Sequence, residues 1–189
     1  DFLRDGIRIY QYEKSNIKER TEEEREEHIP YLVETFKAVL LALPEQNVRE
    51  GIDFLPRLRY PHAKEVLAKI DARGAIISCA FQPVVESYGA CFGISECYGN
   101  PLFIQDKRQH GSIYGSKDKA RIVRFLSADR YIVIGDTADD IGLAHAAKEK
   151  NPESVVISIH RRSEALDNEA DLIISSWKDL GQLLESNLN

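Results

Sequence analysis

The sequence predicts a two-part α/β protein: a mainly helical region over residues 1 to 58, then a doubly wound parallel sheet over residues 59 to 189. Three observations predict it. Before residue 60 no segment reads as a buried strand, while apolar residues recur at helical spacing. After residue 60, short β-branched runs alternate with helical segments, the pattern of βαβ units with helices on both faces. One of those runs, Tyr131 to Ile134, stops at Gly135 and is followed at once by Asp136, Asp139 and Asp140.

The elements follow in order. Residues 1 to 12 show little periodicity. The charged stretch 13 to 28 holds Thr21 and Glu24 at capping-box spacing and reads as a solvated helix face. Over 31 to 43, Leu32, Phe36, Val39, Leu40 and Leu43 share one helical face, and Pro44 ends it. A second short helix at 45 to 55 carries Val48, Ile52 and Leu55, with Pro56 and Pro61 at its exit. Residues 62 to 73 are expected to form an amphipathic helix, with Ala63, Val66, Leu67 and Ile70 inward and Gly74 as its stop. Then come a strand at 75 to 78, a helix at 82 to 92, and two short strands around a polar turn within 101 to 114. A helix at 117 to 127, a strand at 131 to 134, a helix at 138 to 150 and a strand at 155 to 159 follow. A helix or loop at 163 to 167, a strand at 171 to 174 and a helix at 177 to 186 close the chain. No internal repeat or low-complexity segment interrupts the pattern.

The chain has 189 residues, 43% of them apolar, enough for one domain or a domain with a small subdomain. A net charge of −6 and a pI of 5.4 argue against a basic nucleic-acid surface. No apolar run approaches the ~18 residues of a membrane span, and no secretory signal pattern opens the residues given. Cys79, Cys91 and Cys97 form no CxxC pair and are expected to be reduced thiols of a cytoplasmic protein. Spacing does not support a zinc site built from them with His110. No Met occurs, position 1 included. The expectation is a fragment, or a sequence from which modified Met residues are left out.

In a parallel sheet, strand carboxyl ends and the amino ends of the following helices share the edge where ligands bind. Ser78 ends the first strand, Lys119 opens a helix, and Asp136, Asp139 and Asp140 follow the next strand. A hydroxyl, an ammonium group and carboxylates can therefore meet at one edge. Clustered carboxylates repel one another without a counter-charge, and oxygen ligands favour a hard cation such as magnesium. Together these groups suit a phosphoryl group, and the helix amino end adds backbone donors. Each also has a plainer role: Ser78 as a strand-end residue, the Asp residues as helix caps, Lys119 as a solvated lysine with Lys117 its rival.

In this order, Ser78, Lys119 and the GDTADD of residues 135 to 140 resemble the second, third and fourth motifs of the haloacid dehalogenase (HAD) superfamily. The resemblance is closest to its phosphoserine-phosphatase-like branch. There a PxAxExLxxlxxxG segment precedes a strand ending in Ser; here residues 60 to 89 read YPHAKEVLAKIDARGAIISCAFQPVVESYG. The resemblance spans roughly residues 30 to 180. It implies a HAD-like, Rossmann-like core with a small helical cap. It also implies a magnesium-dependent phosphatase acting through an aspartyl-phosphate on a small phosphorylated metabolite. On that resemblance Ser78 hydrogen-bonds the phosphoryl group and Lys119 neutralises it. Asp136 ligates magnesium, Asp140 supports the metal site or orients Lys119, and the role of Asp139 stays open. Neither nucleic acid nor membrane is an expected partner, and a homodimer is compatible with the reading.

The family's first motif, DxDx(T/V) after an apolar strand, is not among these residues. Asp1 and Asp5 are four apart and follow no strand. The nucleophile is expected to lie outside the residues given; the alternative is a non-catalytic regulatory or complex subunit on the same fold. A phosphoacceptor receiver domain also uses an acidic magnesium pocket, but the helical first third and Ser78 ahead of Lys119 fit it poorly. Arg57, Arg59, Tyr10, Tyr12, Phe36, Phe54, Phe81 and Gln82 are candidates for the substrate side, with surface or core packing as their plainer fate.

Overall fold

The computed structural model describes Arg8, Tyr12 and residues 22–58, 60–102, 113–160 and 166–186. From Glu22 to Leu67 its elements are helical: α1 (Glu22–Leu41), α2 (Glu45–Phe54), a 3-10 turn (Leu55–Leu58) and α3 (Ala63–Leu67). α1 continues through Pro30. Leu32, Val39, Val48 and Ile52 are buried, as the helical spacing predicts. α3 is shorter than expected. Ala63 and Val66 are buried, and Val66 packs beside Leu180, but Leu67 and Ile70 are only half-buried, so the helix lacks an apolar face beyond its first turn. Gly74 is not its stop. A side chain there would meet Ile94 at 3.0 Å, so the glycine permits close packing. The left-handed helix stop belongs to Gly93, with φ 74°.

The remaining elements alternate: β1 (Ala75–Phe81), α4 (Gln82–Phe92), β2 (Glu96–Asn100), α5 (Ser116–Phe125), β3 (Ile132–Gly135), a 3-10 turn (Ala138–Asp140), α6 (Ile141–Lys150), β4 (Val155–Ile159), a 3-10 turn (Asp167–Glu169), β5 (Leu172–Ile174) and α7 (Trp177–Ser186). β2 is an addition to the predicted set, because ECYGN is too short and mixed to carry a strand pattern. Most of the predicted strand pair at 101 to 114 lies outside the described residues; Ile113 and Tyr114 are not in a strand. β1 runs past Ser78, and its ladder is interrupted there before it resumes at Phe81. Ile77 pairs with Tyr98 and Phe81 with Asn100, so Ser78, Cys79 and Ala80 oppose Gly99 alone, a bulge.

All strand pairs are parallel. They form a two-stranded sheet, β1-β2, and a three-stranded sheet, β3-β4-β5. Helices cover both faces of the larger sheet. Alternate residues of a strand point to opposite faces. Val156 of β4 packs with Val123, Leu143 and Ala147 of α5 and α6, while Ile157 and Ile159 pack with Leu180 of α7 and Val66 of α3. The α/β, doubly wound class predicted from alternation is therefore the observed one.

The two sheets share a core, since Ile77 of β1 packs against the cluster that contains Val133 of β3. Among the described residues, however, β1 pairs with β2 alone and β3 with β4 alone, which leaves one edge of each strand without a partner strand. A cavity of about 280 Å³ lies between α4 and β3, lined among others by Tyr88, Phe92, Ile134, Gly135, Asp136 and Trp177. No helix among the described residues is long and apolar enough to cross a membrane.

Candidate active site

The site is built around one buried ion pair. Lys119 sits in the first turn of α5 and Asp140 at the end of the 3-10 turn after β3. Their residues are each 7% exposed, and Lys119 Nζ donates to Asp140 Oδ1 at 2.7 Å. Burial works against the charge on Lys119, but the Asp140 carboxylate and the nearby Cys79 and Asp139 together outweigh it, and the ammonium group is held above its ordinary pKa. Lys117 is exposed, so of the two candidates Lys119 is the one buried beside Asp140.

Asp140 organises the loop as well. Its Oδ2 accepts from the backbone N–H of Asp136 (3.1 Å), the backbone N–H of Thr137 (3.2 Å) and the Thr137 hydroxyl (3.1 Å). Thr137 and Asp140 form a reciprocal capping box. The capping role and the site role expected of these carboxylates thus coincide in Asp140. Both of its carboxylate oxygens are therefore engaged, one by Lys119 and the other by the loop.

Two glycines make this approach possible. A side chain on Gly142, in the first turn of α6, would lie 2.0 Å from the backbone oxygen of Ser116 in α5. One on Gly135 would lie 2.7 Å from the Asp140 carboxylate. The helix amino ends and the strand end therefore meet more closely than any larger residue allows.

Asp136 follows β3, is half-buried, and lines the cavity. Among the described residues no hydrogen bond is donated to its carboxylate, in contrast to Asp140. Asp139 is half-buried and within electrostatic reach of Lys119. Ser78 opens the bulge of β1, and its Oγ accepts the Ala80 N–H at 3.1 Å. No hydrogen bond joins Ser78 to Lys119, Asp136 or Asp140. The bulge nevertheless borders the pair: the neighbouring Cys79 lies within electrostatic reach of Lys119, Asp139 and Asp140, and burial pushes its thiol up to about 11. All three cysteines are free. Among the described residues no group of three or more His, Cys, Asp or Glu side chains gathers to hold a metal. His110, the fourth member of the unsupported zinc set, lies outside them.

Several candidates for the substrate side go elsewhere. Phe36 stacks on Phe81 with ring centroids 5.8 Å apart, in the cluster of Val48, Ile52 and Leu102, so both are core residues. Gln82 turns to β2, donating to the Cys97 carbonyl at 2.9 Å. Phe54 is exposed, with the Arg57 guanidinium over its ring. Tyr12 is exposed; Tyr10 and Arg59 lie outside the described residues. Sequence reasoning missed Thr137, Gly142 and Asn100. Thr137 carried a signal, because T-x-x-D at 137 to 140 has capping spacing.

The family model described as haloacid dehalogenase-like hydrolase matches residues 8–145, a stretch that holds Ser78, Lys119, Asp136 and Asp140. No curated protein and no solved structure matches the chain. A parallel α/β core and a family match over most of the chain's length make the chain a member of the haloacid dehalogenase-like hydrolases.

Proposed function

We propose that the protein is a magnesium-dependent phosphomonoester hydrolase of the phosphoserine-phosphatase-like branch, acting on a small phosphorylated metabolite. The observation that carries the reading is the buried Lys119–Asp140 pair beside Asp136. A buried ammonium group fixed by a carboxylate is preorganised to meet a phosphoryl oxygen, because its position costs no reorganisation during reaction. Lys119 has three donors and gives one to Asp140, which leaves others for an anion. Ser78, at the bulge, is the nearby hydroxyl for the same group.

Magnesium usually takes one or two carboxylates and keeps several waters. Asp136 fits as one such ligand, since no described residue donates to its carboxylate. When bound, the metal would supply charge neutralisation at the phosphoryl oxygens. The nucleophilic carboxylate this chemistry needs is not among Ser78, Lys119, Asp136 and Asp140. The unpaired edges of β1 and β3 support a reading in which a further strand enters between them and brings its carboxyl end to Lys119. Three free thiols suit a reducing compartment, and the cytoplasm is the proposed location.

The test is hydrolysis of 4-nitrophenyl phosphate with magnesium, by the polypeptide starting at its natural initiator. Turnover that falls at least about 100-fold in Asp136→Asn supports the reading, on the scale set by loss of a group that stabilises developing charge. Absence of turnover, with Asp136→Asn indistinguishable from the parent, would sink it. A second reading is a non-catalytic subunit on the same fold, because the nucleophilic carboxylate is not among Ser78, Lys119, Asp136 and Asp140. The same null result with magnesium would support that reading.

A further inference from the structure

We propose that Asn100 is a positioning residue that couples the Ser78 bulge to the helix carrying Lys119. As a statement about catalysis this deepens the phosphatase reading and rests on it; as a statement about structure it does not.

Asn100 is the last residue of β2 and is 2% exposed. Its side chain makes three hydrogen bonds. Nδ2 donates to the Cys79 carbonyl at 2.8 Å and to the Ile113 carbonyl at 2.8 Å, and Oδ1 accepts the Ile113 N–H at 2.7 Å. Both amide donors are thereby used. The first contact reaches the middle of the bulge, where β1 has left its ladder with β2. A side chain here supplies the tie that the backbone pairing no longer supplies. The other two contacts hold Ile113, itself 2% exposed.

From Ile113 the connection to the site is short. The Tyr114 N–H donates to the Asp118 carboxylate at 2.9 Å, and the Lys119 N–H donates to the Gly115 carbonyl at 3.1 Å. The entry of α5 is thus set by residues 113 to 115, and Ile113 is set by Asn100. On the other side, Cys79 directly follows Ser78. One amide therefore links the backbone beside the hydroxyl to the backbone that leads to the ammonium group.

The chemistry of the position is narrow. Asp keeps the acceptor for the Ile113 N–H but loses both donors and buries a charge. An apolar residue leaves the Cys79 carbonyl and both polar groups of Ile113 without this partner. Gln carries the amide one carbon further out. Hydrolytic rate is sensitive to such displacement, because a misplacement of about 1 Å can cost about 100-fold.

The experiment uses the natural polypeptide and Asn100→Asp. It reads residue-resolved amide exchange together with hydrolysis of 4-nitrophenyl phosphate in magnesium. The expected result is exchange at Ala80 and Lys119 faster by about tenfold or more, with β3, β4 and β5 unchanged, since the lost bonds open locally. Alongside it, kcat falls about 100-fold and KM stays within about threefold, the split expected when orientation rather than binding is lost. If only Ile113 exchanges faster, Asn100 pins its own loop and the proposal is overturned. If Asn100→Asp does not fold, Asn100→Ser carries the same readouts, and failure of both to fold also overturns it. If the exchange pattern appears but the parent shows no turnover, the coupling stands and the phosphatase reading falls.

Discussion

Lys119 shows how much a single residue can be read before its surroundings are known. The sequence placed it at the start of a helix but could not separate it from Lys117, because both precede the same apolar run. Burial separates them, and the 2.7 Å contact with Asp140 explains why a charge is tolerated there. Removing one partner of a buried pair leaves the other uncompensated. Lys119→Met is therefore expected to lower unfolding free energy by about 3–5 kcal/mol, out of the roughly 5–15 kcal/mol typical of a domain. Lys117→Met, at an exposed position, should stay within about 0.5 kcal/mol. Urea denaturation of the two variants side by side checks the contrast, and equal effects would remove the case for Lys119. Asn100 carried no comparable signal. An Asn before a Pro reads as a turn, and its three hydrogen bonds join segments that only folding brings together.

At the level of elements, the strands and helices after residue 115 follow their sequence pattern closely. α5, β3, β4, β5 and α7 have the expected positions, and each buries apolar residues of its pattern, Val123, Val133, Val156, Ile174 and Leu180 among them. The departures have local causes. α3 stops early because its apolar contacts end with its first turn, and β1 extends past Ser78 as a bulge that no periodicity announces. The α5–α6 contact depends on a residue with no side chain at all. Gly142→Ala would place a methyl group against the Ser116 carbonyl, and the helices must separate. The expected loss is about 1–3 kcal/mol, the range for overpacking, with weaker phosphatase turnover because Lys119 moves away from Asp140. Thermal unfolding and turnover of the alanine variant test this together. A variant as stable as the parent would show that the amino ends can shift freely.

For the whole molecule, the informative feature is the arrangement of two parallel sheets around one core. β1 and β3 each keep an edge without a partner strand among the described residues, although Ile77 and the cluster around Val133 are packed together. Parallel strands need a crossover connection, usually helical, and the helices from Glu22 to Leu67 stand immediately before β1 in the chain. In the proposed enzyme a strand ahead of those helices fills the position. Amide exchange at Ile76, Ile77 and residues 132 to 135 is then expected to be as slow as in the central strand β4, within about tenfold. Exchange at these edges about 100-fold or more faster than in β4 would rule out a strand between them.

Composition, periodicity and motif order by themselves determined the class of this protein: a doubly wound α/β core preceded by helices, with Ser78, Lys119 and GDTADD in family order. Those properties are local or sequential, because helical spacing, β-branched runs and short motifs are written in neighbouring residues. The tertiary structure alone decided that Lys119 rather than Lys117 is buried, and that Asp140 spends both oxygens on the lysine and the loop. It alone showed that Gly142 lets two helices close and that Asn100 hydrogen-bonds both the bulge at Cys79 and the backbone at Ile113. Apart from the capping box within residues 136 to 140, each of those facts is a distance between residues far apart in the chain, and the packing that sets such distances is not periodic in sequence.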